Sequence, residues 1–170
     1  MKKNGVVVSI AALVLAASMG SAVAAPRQSG MYLDANVGTL YATTSLFGIQ
    51  YTKYGSIGAN ANLGYQFNQY IATEAGYTIY NFDGHSANNI DIATKFILPF
   101  NVGTNDFSVF AKLGAADVFS GGDHSVMALA GLGGSYAVTQ KTDLTLQAQG
   151  VSNGFFSLGL ISAGVSYHFD

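Results

Sequence analysis

Eight times along this chain, residues alternate between two classes with a period of two, each time over a stretch long enough to form a strand. No other feature constrains the fold as tightly. A period of two sends successive side chains to opposite faces of an extended chain, whereas a helix would repeat near 3.6. Ile57 to Phe67 is the clearest stretch. Ile57, Ala59, Ala61, Leu63, Tyr65 and Phe67 share one face, and Gly58, Asn60, Asn62, Gly64 and Gln66 share the other. The same reading applies to Met31–Tyr41, Tyr70–Tyr80, Ile90–Phe100, Phe107–Ala115, Asp143–Val151 and Leu158–Phe169. Ser125–Tyr136 is less regular. It is apolar on both faces from Val126 to Leu132, and only Leu132, Gly134 and Tyr136 against Gly133 and Ser135 set a phase.

Composition says what the apolar faces meet. Charged residues make up 9% of the 170, against about 25% in an ordinary soluble domain. Lys and Arg total 7 against 9 acids, so no nucleic-acid partner is expected. Lipid is the solvent that suits such a surface. A chain in lipid must satisfy every backbone polar group internally, and beyond the N-terminus no apolar stretch reaches the roughly 20 residues of a spanning helix. A closed barrel remains. The expected fold is all-β, an eight-stranded antiparallel up-and-down transmembrane β-barrel, its strands alternating between lipid and lumen.

The N-terminus gives the route. Lys2 and Lys3 precede an apolar run from Val6 to Ala17, and Ser21 to Ala25 are small residues with the A-x-A pattern at Ala22 and Ala24. This predicts a secretory signal, residues 1–24, cleaved after Ala24 because a cut after Ala25 would leave Pro26 beside the scissile bond. Residues 25–170 form the barrel. There is no Cys, hence no disulfide and no lipidated cysteine.

Connections divide into two kinds. Asn68-Gln69, Asn101–Asp106 and Ala137–Thr142 are short, while Thr43–Ser56, Asn81–Asn89 and Asp117–His124 are longer and polar or Gly-rich. Outer-membrane barrels have short periplasmic turns and longer external loops, so Thr43–Ser56 is expected to be the first external loop. Its Phe47, Tyr51, Lys53 and Tyr54 combine aromatic and basic groups suited to surface contact. At the opposite end Tyr65, Phe67, Phe100, Phe107, Tyr136, Tyr167 and Phe169 gather beside the short turns, as expected of a periplasmic aromatic girdle at the headgroup boundary.

Gly64-Tyr65-Gln66-Phe67-Asn68 followed by Ala72-Thr73-Glu74-Ala75-Gly76-Tyr77, with the C-terminal Ala163-Gly164-Val165-Ser166-Tyr167-His168-Phe169, resembles the small outer-membrane barrels of the opacity-protein and OmpA/OmpX-like group. The resemblance covers residues 25–170. It implies eight strands, insertion by the outer-membrane assembly machinery through a C-terminal aromatic signal, and a role as structural protein, adhesin or narrow pore. Members of the group end on the aromatic residue, whereas Asp170 follows Phe169 here. A peptidoglycan-binding domain of the kind attached to some relatives is not expected.

Inward positions carry the polar chemistry. Asp34, Glu74, Lys95, Lys112 and Gln147 are predicted to form a lumen network, with Asp91 nearer the external rim. Lys95 and Lys112 fall on neighbouring strands, so carboxylates should lie within reach of both. An eight-stranded barrel is just wide enough for its side chains to fill it, which favours a plug over an ion path. Ser152-Asn153-Gly154 is similar to the Ser-Asn segment of barrel lipases that deacylate lipid A. The position of their base, two residues before the serine, is Gly150 here. His85, His124 and His168 lie elsewhere, and two loop histidines without a spacing motif define no metal site.

The expected function is therefore non-enzymatic and structural, or a surface interaction of adhesin type, in a monomer without cofactor. A narrow passive pore is the alternative, and a lipid A-modifying enzyme the third reading. Expected partners are outer-membrane lipid and lipopolysaccharide, the assembly machinery, and a host or cell-surface ligand.

Overall fold

The alternation resolves into eight strands that close on themselves. A computed structural model describes residues 29–46, 49–82, 85–103, 105–154 and 156–169; the expected signal segment lies outside them. In chain order the strands are β1 (Gly30–Leu46), β2 (Ile49–Asn68), β3 (Ile71–Phe82), β4 (His85–Val102), β5 (Asn105–Ser120), β6 (Asp123–Ala137), β7 (Thr142–Ser152) and β8 (Phe156–His168). Each pairs antiparallel with its neighbour in sequence, and β8 returns to β1 from Tyr32↔His168 to Thr44↔Phe156. Closure leaves no unpaired edge, the condition for a sheet to sit in lipid.

The outer wall is apolar. Leu33, Leu63, Ile92, Leu113 and Ile161 are exposed, and Leu98 keeps 62% of its surface free. Residues one position away in sequence, such as Asp34, Asn62 and Lys112, are buried in the lumen. On β6 the outward set is Val126, Ala128, Ala130 and Leu132, while Met127 and Leu129 point inward.

The connections expected to be long external loops are instead mostly paired strand. β1 and β2 stay in register from Tyr41↔Tyr54 to Leu46↔Ile49, past an irregularity between Thr39 and Tyr41, so Thr43–Ser56 is a hairpin arm. Thr43, Thr44, Ile49, Tyr51, Thr52 and Tyr54 are β-branched or aromatic, residue types that favour extended pairing. Lacking an apolar alternation, the segment reads as a loop, yet two strands can pair through their backbones without one. Likewise β3 and β4 pair as far as Phe82↔His85, and β5 and β6 as far as Ser120↔Asp123, around Gly121 and Gly122 with φ of 62° and 100°. Turn length thus does not distinguish the two ends. Paired strand reaching beyond the apolar wall does.

Candidate functional site

The lumen has two halves, and the one nearer the chain termini is polar. Its centre is Glu74 on β3, 1% exposed. The register places Lys95 on β4 directly opposite Lys112 on β5, so the two ammonium groups are neighbours. Glu74 answers both. Lys95 Nζ donates to Oε1 at 3.2 Å, Lys112 Nζ lies 2.5 Å from Oε2, and the Tyr32 hydroxyl donates to Oε1 at 2.6 Å. Phe110 completes the packing, with Lys95 Nζ 4.2 Å and Lys112 Nζ 5.6 Å from its ring centre. Two aromatic rings need room inside so narrow a barrel, and glycines on the neighbouring strands provide it. A Cβ at Gly64 would collide with the Tyr32 ring, and one at Gly133 with the Phe110 ring.

Beside this array runs a net of amides and hydroxyls. Asn36 Nδ2 donates to Asp34 Oδ1 at 3.0 Å and reaches Asn60 Oδ1 at 3.4 Å. Asn60 Nδ2 donates to Thr78 Oγ1 at 3.0 Å, and Gln147 Nε2 reaches Asn60 Oδ1 at 3.4 Å. Thr145 Oγ1 donates to Asn36 Oδ1 at 2.7 Å. Side chains from β1, β2, β3 and β7 are thereby tied across the lumen. Of the expected network residues, Glu74, Lys95 and Lys112 form one cluster and Asp34 and Gln147 belong to this net. Asp91 is nearer the far end than Lys95, as expected, but is enclosed. It is 6% exposed, opposite Gly76 and Ala116.

The other half is apolar. Leu40, Tyr80, Val118, Met127, Leu129, Val151, Leu158 and Leu160 pack into one buried cluster inside the barrel. Tyr80 is the link to the polar half, its hydroxyl accepting from Asn89 Nδ2 at 3.1 Å. Sequence reading missed this layer, although Leu40, Leu158 and Leu160 occupy inward positions and signalled it.

The terminal mouth holds a cavity of about 90 Å³ lined by Tyr32, Lys95, Asp106, Asp143, Thr145, Ser166 and His168, among others. Tyr32 stacks on His168 at 5.2 Å between ring centres, and His168 Nε2 lies 3.4 Å from Asp143 Oδ2. Around this end the outward aromatics meet in pairs: Tyr65 with Phe67, Phe100 with Phe107, Phe107 with Tyr136, and Tyr167 with Phe169, at 4.9–5.8 Å.

The remaining sequence candidates lie apart. Phe47 is outside the described residues, while Tyr51, Lys53 and Tyr54 belong to the β2 arm. Ser152 Oγ accepts from Gly154 N at 3.2 Å and from Ser157 Oγ at 2.9 Å, so it is held by its own turn. His124 Nδ1 lies 3.3 Å from Asp117 Oδ2 on the exposed β5–β6 arm. Among the described residues no three His, Asp or Glu side chains gather as metal ligands.

A family model described as "Outer membrane protein beta-barrel domain" matches residues 9–170. Outer membrane protein A of Serratia marcescens is 30% identical over 209 residues, an alignment covering 99% of this chain and 56% of the relative. The chain thus spans little more than half the length of that relative. Among solved structures, Neisserial surface protein A superimposes with a TM-score of 0.59 at 22% identity, covering 84% of this chain and 100% of that one. Ail, the attachment invasion locus protein of Yersinia pestis, gives 0.54 at 15%, covering 82% and 99%. At these identities the structural likeness speaks for the fold.

Proposed function

This chain belongs to the outer membrane protein beta-barrel domain family, and on that premise we propose that it is a non-enzymatic barrel with a closed lumen, serving as a structural and surface-contact element of the outer membrane. The observation that carries the reading is the filling of the lumen by two stacked layers. The Glu74 array occupies one half, and the Leu40–Leu160 cluster occupies the other. A passive pore needs a continuous wet path, and a buried apolar layer across the lumen opposes one. The terminal cavity favours the pore reading only as far as Lys95, on its floor.

In this reading the wall contacts lipid, and the arms at the far end meet lipopolysaccharide or a ligand at the cell surface. Export through a signal cleaved after Ala24, insertion through the Phe169 strand by the assembly machinery, and a monomeric state complete the proposal. Heat-modified gel mobility of the outer-membrane fraction tests the folded barrel. Planar-bilayer recording of the purified protein tests the closed lumen. Steady single-channel current from the parent chain would replace this reading by the pore.

A further inference from the structure

The polar half of the lumen has an excess of acceptors and of negative charge. Asp34, Glu74 and Asp91 are buried there, and among the described residues the buried lysines are Lys95 and Lys112, with the His168 ring beside Asp143 at the mouth. Glu74 takes both lysines, and neither Asp34 nor Asp91 has an ion pair among the described residues. Asp34 Oδ2, Asn89 Oδ1, Asp91 Oδ2 and Gln147 Oε1 are all buried without a hydrogen-bond donor. Among the described residues, the nitrogen in the same condition is Lys112 Nζ, which faces Glu74 Oε2 at 2.5 Å. What this interior lacks is positive.

Access is one-sided. The apolar layer closes the far end, and the terminal cavity opens toward the net through Thr145 and Ser166. Asp34 neighbours two residues of that cavity's lining. It is paired with Ser166 in the β1–β8 ladder, and its Oδ1 is 3.5 Å from Thr145 Oγ1. Asp34 and Gln147 belong to one chain of hydrogen bonds, since Asn36 binds Asp34 and both Asn36 and Gln147 reach Asn60 Oδ1. Asp106 and Asp143 at the mouth add to the negative potential on the way in.

We propose that Asp34 and Gln147 form the floor of a binding site for one small, hard cation, admitted from the end of the barrel that carries the chain termini. Water could satisfy orphaned acceptors, but it leaves the net charge of a low-dielectric interior uncompensated, and a cation answers both. The donor set selects the class of ion. Carboxylate, amide and hydroxyl oxygens suit sodium, potassium, magnesium or calcium, and the chain has no cysteine for a soft metal.

The test uses the protein folded into neutral lipid vesicles. Urea midpoints are compared in sodium, potassium, magnesium, calcium and N-methylglucamine chlorides at equal ionic strength, the last cation being too bulky for the lumen. At least one small cation should raise the midpoint saturably, and which one does so tells a monovalent from a divalent site. Asp34→Asn should weaken the apparent affinity tenfold or more, and Asp117→Asn, on the exposed arm, should leave it unchanged. If Asp34→Asn does not fold, Gln147→Met carries the same expectation. Identical midpoints in all five salts would overturn the proposal, as would a cation effect that survives both lumen variants or disappears with Asp117→Asn. Conductance is a separate measurement, so a closed lumen that binds no cation leaves the proposed function standing.

Discussion

The two halves of the lumen are built on the same eight strands and filled by opposite means. In the half near the termini every buried group needs a partner of matching charge or hydrogen-bonding sense, and Glu74, Lys95, Lys112 and Tyr32 are fixed by one another. In the far half, Leu40, Leu158 and Leu160 need only volume. The contrast explains the least regular stretch of the sequence. From Val126 to Leu132 both faces of β6 are apolar because one meets lipid and the other meets the inner apolar layer. Alternation in a barrel reports which face a residue takes only where the lumen behind it is polar.

The largest expected effect lies in the polar half. Glu74→Ala leaves two adjacent ammonium groups buried without their shared carboxylate, and breaking a buried pair in this way costs about 3–5 kcal/mol. The urea midpoint in vesicles should fall accordingly. Asp117→Ala, removing a carboxylate on the exposed β5–β6 arm, should change stability by no more than about 0.5 kcal/mol. Equal midpoints for the two variants would mean that the lumen is wet and the comparison of halves is wrong.

Leu160→Ala probes the apolar half by volume alone. Leu160 is fully buried, and the neighbouring inward position on β2 is Gly58, where a Cβ would crowd Leu40 and Leu160. A glycine has no side chain to move into the space, so the cavity should persist and cost about 2–5 kcal/mol. Current through planar bilayers should stay at the parent level, because the Glu74 array still fills the other half. An open channel in this variant would show that the apolar layer alone closes the barrel.

How much of this was legible in sequence differs between wall and interior. The facing of Leu63 or Leu113 follows from period two alone, and closure follows from eight such segments in a chain with too few charges for water. Lys95, Lys112 and Glu74 were readable as neighbours because depth can be counted from the turns. Asp91 was readable as farther from the termini than Lys95, but its burial was not, because that depends on its cross-strand partners Gly76 and Ala116. The net joining Asp34 to Thr145 spans 111 positions in sequence and depends on the circumference of the barrel. The hairpin arms were missed for a different reason. Residues 43–56 show no apolar alternation in sequence, so hydrophobic patterning is silent there, and only β-propensity and the partner strand decide their structure.

The wall shared by both halves is tested by Leu63→Arg. Leu63 points outward between Leu33 on β1 and Ala75 on β3, away from both rims. A cation on the lipid face near mid-membrane costs about 2–4 kcal/mol. Folding yield into vesicles should drop, and the same substitution at Val126, nearer the far rim, should be milder. Equal yields would argue that Leu63 does not lie at the depth its register assigns.

The smallest expected effect comes from making the two halves alike. Replacing Glu74, Lys95 and Lys112 together by Met removes three buried charges and their desolvation while keeping side-chain length, and such exchanges are commonly neutral or stabilising. The triple variant should match the parent midpoint to within about 1 kcal/mol, although Glu74→Ala alone is the most damaging change. If so, the ionic array is not what makes the folded barrel stable. It is then a means of keeping inward positions polar until the lumen closes around them, because three more apolar side chains in alternating strands would make the unfolded chain more prone to aggregate. The expected signature is an unchanged midpoint for the folded fraction with a lower folding yield from urea. A midpoint well below the parent's would instead give the array a net stabilising role that the cost of desolvating its charges argues against.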